Sequence, residues 1–134
     1  MGRRKSREHA FKLVYQVQIN NDDVKEQTDQ YFLDNDIDEE AQQYIRDAVL
    51  YIHANSMDID KELSKYLAKK WTVERLPKVE LAIMRLAYYE IMNVADVPKS
   101  VAINEAVELA KTYGDEDAGK YINAVLANIH NGED

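Results

Sequence analysis

Between Val79 and Val94 the chain is apolar at Leu81, Ala82, Ile83, Met84, Leu86, Ala87, Tyr88, Tyr89 and Ile91, too many positions for one face to hold. A helix that is apolar nearly all round is stable in water only when other elements surround it. The rest of the chain must supply that cover. With four glycines and two prolines in 134 residues there is little turn material, while alanine, leucine, glutamate and lysine favour helix. The predicted class is all-α.

Periodicity places the covering helices. Ala10, Phe11, Val14, Tyr15 and Val17 recur at helical spacing between Arg3 and about Ile19. A shorter helix is expected over Val24 to Leu33. Asp36 with Glu39 has the form of a capping box opening a third, which reaches about Ala54 through Ala41, Ile45, Ala48, Val49 and Ile52. Ser56 or Asp58 then caps a fourth, with Ile59, Leu63, Tyr66 and Leu67 on one face. It ends in Lys69 and Lys70, where lysines suit the helix dipole without further purpose. Pro77 is placed as the first residue of the central helix. Pro98 and Ser100 open the next, and Gly114 closes it at a C-cap. A last helix is expected from about Asp117 to Ile129.

A length of 134 residues fits one domain, 1–134, able to bury roughly two-thirds of its unfolded surface. Cysteine is absent, which removes disulfides, thiolate metal sites and cysteine nucleophiles and favours an intracellular setting. No run approaches the roughly 18 apolar residues of a membrane span, so a soluble cytoplasmic protein is expected. His9, His53 and His130 are dispersed, with no metal-ligand spacing. Asp58, Asp60 and Glu62 alternate like the start of a calcium loop but lack its glycine and closing glutamate. No phosphate-binding glycine loop or catalytic constellation stands out, and no cofactor is expected.

The charge is unevenly spread. Residues 1–12 hold Arg3, Arg4, Lys5, Arg7 and Lys12 against Glu8 alone, a net +4 on a chain of −8, so the remainder carries −12. A basic start on an acidic body suggests an address for a polyanion, although a solvated terminus has the same composition. Near the other end, Asp115, Glu116, Asp117, Lys120 and Tyr121 cluster at a helix start. A carboxylate there can accept hydrogen bonds from bases and an aromatic ring can stack one. Acids that favour the helix dipole and a core tyrosine would look alike in sequence.

Three segments are similar to the NusB family of bacterial transcription antitermination factors. They are Arg3, Arg4, Lys5, Ser6, Arg7 followed by Leu13, Val14, Tyr15, Gln16; the run Val79 to Glu90; and Val97, Pro98 and Val101 to Lys111, continuing through Tyr113 and Gly114 to Lys120, Tyr121, Ile122 and Asn123. The resemblance implies about seven helices in two small packed bundles and a non-enzymatic RNA-binding role. It implies pairing with NusE, a small-subunit ribosomal protein, and recognition of single-stranded boxA RNA in nascent transcripts, chiefly of ribosomal RNA operons. RNA polymerase, modified with other Nus factors, then reads through terminators. Some relatives dimerise, which leaves a homodimer of the free protein open.

By family position, Arg3, Arg4, Lys5, Arg7, Asp117, Lys120 and Tyr121 are expected at the RNA, with Tyr66 balanced between the RNA path and the core. Tyr15 and Glu80 are expected to face NusE. Glu80 and Arg85 would pair along the central helix or meet a partner. The chain departs from the pattern at Ala124, where relatives usually have glycine, and in the connection Trp71 to Lys78, which is slightly longer than in some relatives. Two other readings are a helical protein–protein adaptor and an RNA-binding accessory domain like those fused to ribosomal RNA cytosine methyltransferases. The chain has neither the catalytic cysteine nor the glycine-rich cofactor strand of those enzymes.

Overall fold

The computed structural model describes residues 1–129; His130 lies outside them. They form seven helices and one short 3-10 turn, with no strand among the described residues: α1 (Arg3–Ile19), α2 (Val24–Asp34), α3 (Glu39–Ala54), α4 (Ser56–Ser64), the turn Val73–Arg75, α5 (Lys78–Asn93), α6 (Lys99–Tyr113) and α7 (Ala118–Ala127). As its composition demands, α5 is the axis of the structure, touching α1, α3, α4, α6 and α7. On one side α1, α2 and α3 form a bundle, and on the other α6 and α7 pair closely. The fully buried Leu13, Ile45, Ile59, Leu63, Ile83, Met84, Leu86, Ile122 and Leu126 mark a core that runs through both.

Several helix ends differ from the sequence reading, each for a local reason. Asp38, not Asp36, caps α3, its Oδ1 accepting the Ala41 amide at 2.9 Å. Pro77 and Pro98 stand one position earlier than expected, as extended N-caps whose carbonyls accept the amides of Leu81 and Ala102. Neither Ser56 nor Asp58 caps α4. Asn55 holds that position, and its side-chain amide donates back to the Tyr51 carbonyl at 2.9 Å.

The largest difference is the end of α4. Ser64 Oγ donates to the Asp60 carbonyl at 2.7 Å. The Lys65 and Tyr66 amides donate three residues back, to Glu62 and Leu63, so the last turn tightens to 3-10 geometry and the helix ends there. Tyr66, Leu67, Lys69 and Lys70 therefore follow the helix rather than complete it. The helix dipole no longer accounts for the two lysines.

Gly114 closes α6 as expected, though not through a left-handed backbone, since its φ is −92°. A Cβ there would lie 2.9 Å from both the Ala110 carbonyl oxygen and the Ala118 Cβ. The glycine lets the end of α6 and the start of α7 approach closely. Ala124, the departure from the family pattern, sits on the exposed side of α7, where its methyl group crowds no core residue.

Helices α1 and α5 run antiparallel, tied at one end by Gln18 Nε2 to the Lys78 carbonyl, 2.8 Å, and at the other by Arg7 to Glu90. The Arg7 and Glu90 side chains are 5% and 1% exposed, and they meet through two hydrogen bonds, Nε to Oε1 at 2.6 Å and Nη2 to Oε2 at 2.9 Å. Glu105 lies 3.9 Å from the same guanidinium. Such a pair adds little stability over apolar residues of equal volume, but removing one partner strands a charge in the core. Arg7→Ala should therefore cost about 3 to 5 kcal/mol in urea unfolding, and Glu90→Leu in the Arg7→Met background should recover most of the loss of Arg7→Met alone.

Candidate nucleic-acid interface

The first turn of α1 sends its four cations to different places. Arg3 is 42% exposed, 3.6 Å from Asp96, with its guanidinium 4.9 Å from the centre of the Tyr44 ring. Arg4 is 76% exposed and reaches Glu105 at 3.0 to 3.2 Å. Lys5 is exposed and 3.2 Å from Glu8. Exposed pairs of this kind are worth at most about 1 kcal/mol, so a phosphate can displace the carboxylates at small cost. Arg7 corrects the expectation: it points inward, its guanidinium taken up by Glu90, and it is not presented for phosphate contact. Its role here is to anchor the turn that carries the other three.

The second group gathers about 15 Å away along α5, the rise of the ten residues between Glu90 and Glu80. Asp117 is exposed at the N-cap of α7, yet its side chain makes no capping bond. Instead its amide donates to Asp115 Oδ1 at 3.1 Å. No capping bond engages this carboxylate, which faces solvent at the N-terminal end of α7, where its charge also suits the helix dipole. Lys120 is exposed one turn on. Tyr121 is half-buried, its ring centre 6.2 Å from that of Trp71, and its hydroxyl is buried without a hydrogen-bond partner. Burial, then the nearby Glu80 carboxylate, pushes the Tyr121 hydroxyl above its ordinary pKa.

Glu80 is buried on α5, 6% exposed. Burial first, and the Asp115 carboxylate second, raise its pKa above the usual glutamate value. It does not pair with Arg85, which binds Asp60 through Nε at 2.8 Å and Nη2 at 2.6 Å and Gln18 through Nη1 at 3.1 Å. Tyr15 is half-buried, 6.4 Å from Phe11, whose ring in turn lies 5.0 Å from Tyr113 at the end of α6. Tyr15 and Glu80 thus both belong to the end of the molecule where α6 gives way to α7. Tyr66 stands apart from this group, half-buried near Tyr88 and against the core.

Two residues that sequence reasoning passed over matter here. Glu90 lies within a recognised segment, and its signal was a carboxylate on a face otherwise apolar. Trp71, the chain's one tryptophan, follows two lysines in a connection that periodicity leaves blank. Among the described residues no group of three histidine, aspartate or glutamate side chains is placed to hold a metal, and no helix is long and apolar enough to cross a membrane.

Fold and surface define a class: an all-helical, two-bundle protein with an arginine-rich leading turn at one end of its axial helix and an acid-and-aromatic helix start at the other. Residues 4–131 match the NusB family model. The chain belongs to the NusB family. It is 45% identical to the transcription antitermination protein NusB of Acetivibrio thermocellus over 96% of this chain and 88% of that protein. Its fold superposes on that of T. maritima NusB with a TM-score of 0.87 at 36% identity, covering 95% of this chain and 89% of that one. It likewise matches a chain in the crystal structure of the antitermination factors NusB and NusE with double-stranded RNA, at a TM-score of 0.82 and 26% identity over 95% and 96% of the two chains.

The raised pKa of Glu80 has a measurable consequence. A carboxyl that binds its proton more tightly folded than unfolded makes the native state lose stability as pH rises from the ordinary glutamate pKa through the raised one. Glu80→Gln removes that loss. Its unfolding midpoint in urea should exceed that of the unaltered chain near neutral pH, and the difference should shrink as pH falls toward the usual carboxylate range.

Proposed function

We propose that this chain is an RNA-binding transcription antitermination factor that holds single-stranded boxA RNA jointly with NusE and helps RNA polymerase, with other Nus factors, read through terminators in ribosomal RNA operons. In this reading Arg3, Arg4 and Lys5 hold phosphates, Lys120 holds another, Asp117 accepts hydrogen bonds from a base and Tyr121 offers a ring for stacking. Tyr66 borders the path and Tyr15 faces NusE, while Glu80, expected at that face, is buried and supports it from beneath rather than meeting the partner. The role is one of binding rather than catalysis, exercised by a single domain in the cytoplasm.

The observation that carries the reading is Asp117, a carboxylate at a helix start that does not cap its helix and stands beside a half-buried aromatic ring. Base edges and ring faces are open to such groups in a single strand, whereas the deep groove of an A-form duplex hides them. The acidity of the chain fits as well. A net charge of −8 opposes indiscriminate polyanion binding, so a transcript is held firmly only when the basic turn, α7 and a basic partner engage it together.

The test follows from the burial of Arg7, which makes Arg3 and Arg4 the informative pair. Arg3→Ala with Arg4→Ala should weaken binding of boxA RNA by the complex with NusE and flatten its salt dependence by about 1.4 in log–log slope, at roughly 0.7 per single-strand phosphate. Unchanged affinity and slope with NusE binding intact would favour the protein–protein adaptor reading instead.

A further inference from the structure

The connection between α4 and α5 gathers cations around an exposed ring. Trp71 is 36% exposed, and Lys69, Lys70 and Arg75 beside it are exposed as well. No carboxylate of the described residues lies within ion-pair distance of these three cations. The segment has a built shape. Arg75 Nη1 donates to the Lys70 carbonyl at 3.3 Å, the Trp71 amide donates to the Ala68 carbonyl at 2.9 Å, and Val73 and Leu76 are buried beneath. This shape sets the indole against Tyr121, ring centres 6.2 Å apart at an interplanar angle of 51°. The loop is thereby joined to α7.

We propose that the loop Lys69 to Arg75 is a second RNA-contacting element, in which Trp71 stacks an unpaired base beside Tyr121 while Lys69, Lys70 and Arg75 hold the flanking phosphates. The inference rests on the RNA-binding reading above and extends its site to a loop outside the expected set. An apolar residue would suffice to cover Tyr121. An indole open to solvent and flanked by unpaired cations matches what a single strand presents, flat bases alternating with negative charge. Local charge sets the orientation. Asp115, Glu116 and Asp117 line the α7 side and Glu74 lies within the loop, so the phosphates are directed to the Lys69–Lys70 side and the base toward the rings.

Because Trp71 is the one tryptophan, 5-fluorotryptophan incorporated into this chain alone reports on that ring alone. Adding single-stranded boxA RNA to the labelled chain with unlabelled NusE should shift the fluorine resonance. Trp71→Ala should weaken binding about 5-fold or more, as loss of one stacked base does, while Trp71→Phe retains most of the affinity. Lys69→Gln with Lys70→Gln, at exposed positions that leave the core untouched, should lower the salt slope by about 1.4. An unshifted resonance at saturating RNA, or Trp71→Ala and lysine variants that bind as tightly as the unaltered chain, would overturn the proposal. If Arg3→Ala with Arg4→Ala still weakens binding in that case, the RNA-binding reading survives without the loop. If the unaltered complex binds no RNA, both fall.

Discussion

The buried ion pair between Arg7 and Glu90 is the contact on which the arrangement of the rest depends. A carboxylate 1% exposed inside an apolar helix is tolerable only with its cation in place, and the cation arrives on a helix far away in sequence. Apolar side chains would accept several registers of α1 against α5. A two-bond guanidinium–carboxylate contact accepts one. Fixing that register also fixes where the chain begins: the leading turn of α1 stands over the C-terminal end of α5, with Arg3, Arg4 and Lys5 turned outward. One arginine of a basic cluster is spent inside so that three others have a defined position outside.

This geometry gives the charge pattern its meaning. The cations of α1 stand at one end of α5, and Asp117, Lys120, Tyr121 and Trp71 stand toward the other, where the start of α7 meets the start of α5. Neither group alone makes a specific site. Cations hold any phosphate, and a ring with a carboxylate meets a base only weakly in water. Spaced along one rigid helix they can engage one strand at two places, which is how modest contacts combine into useful affinity. The acid-rich remainder penalises polyanions that reach only one of them.

Much of this was legible in the sequence. Apolar spacing fixed the course of α1, α3 and α5, because amphipathic or wholly apolar helices announce their own period. The segments from Val79 to Glu90 and Val101 to Asn123 carried the family. What escaped depended on distant or competing contacts. Arg7 reads as one more surface cation because Glu90, which draws it inward, lies 83 residues on. Lys69 and Lys70 read as a helix end because the tightened turn at Lys65 and Tyr66, where α4 ends, leaves no periodic trace. Trp71 acquires meaning only when α7 brings Tyr121 to it. Asp117 reads as an ordinary helix-start acid, and only the structure shows that its carboxylate makes no capping bond and stays open to solvent.

The central claim is that one RNA strand engages both ends of α5 while the Arg7–Glu90 pair stays closed between protein groups. Backbone and arginine-side-chain chemical-shift mapping of the labelled chain with boxA RNA, with and without NusE, tests it most directly. The account predicts that RNA in the presence of NusE shifts residues 3–5 and 117–121 together and leaves the Arg7 guanidinium resonance where it was. Shifts confined to one end, or an Arg7 resonance that moves with RNA as the exposed arginines do, would contradict it.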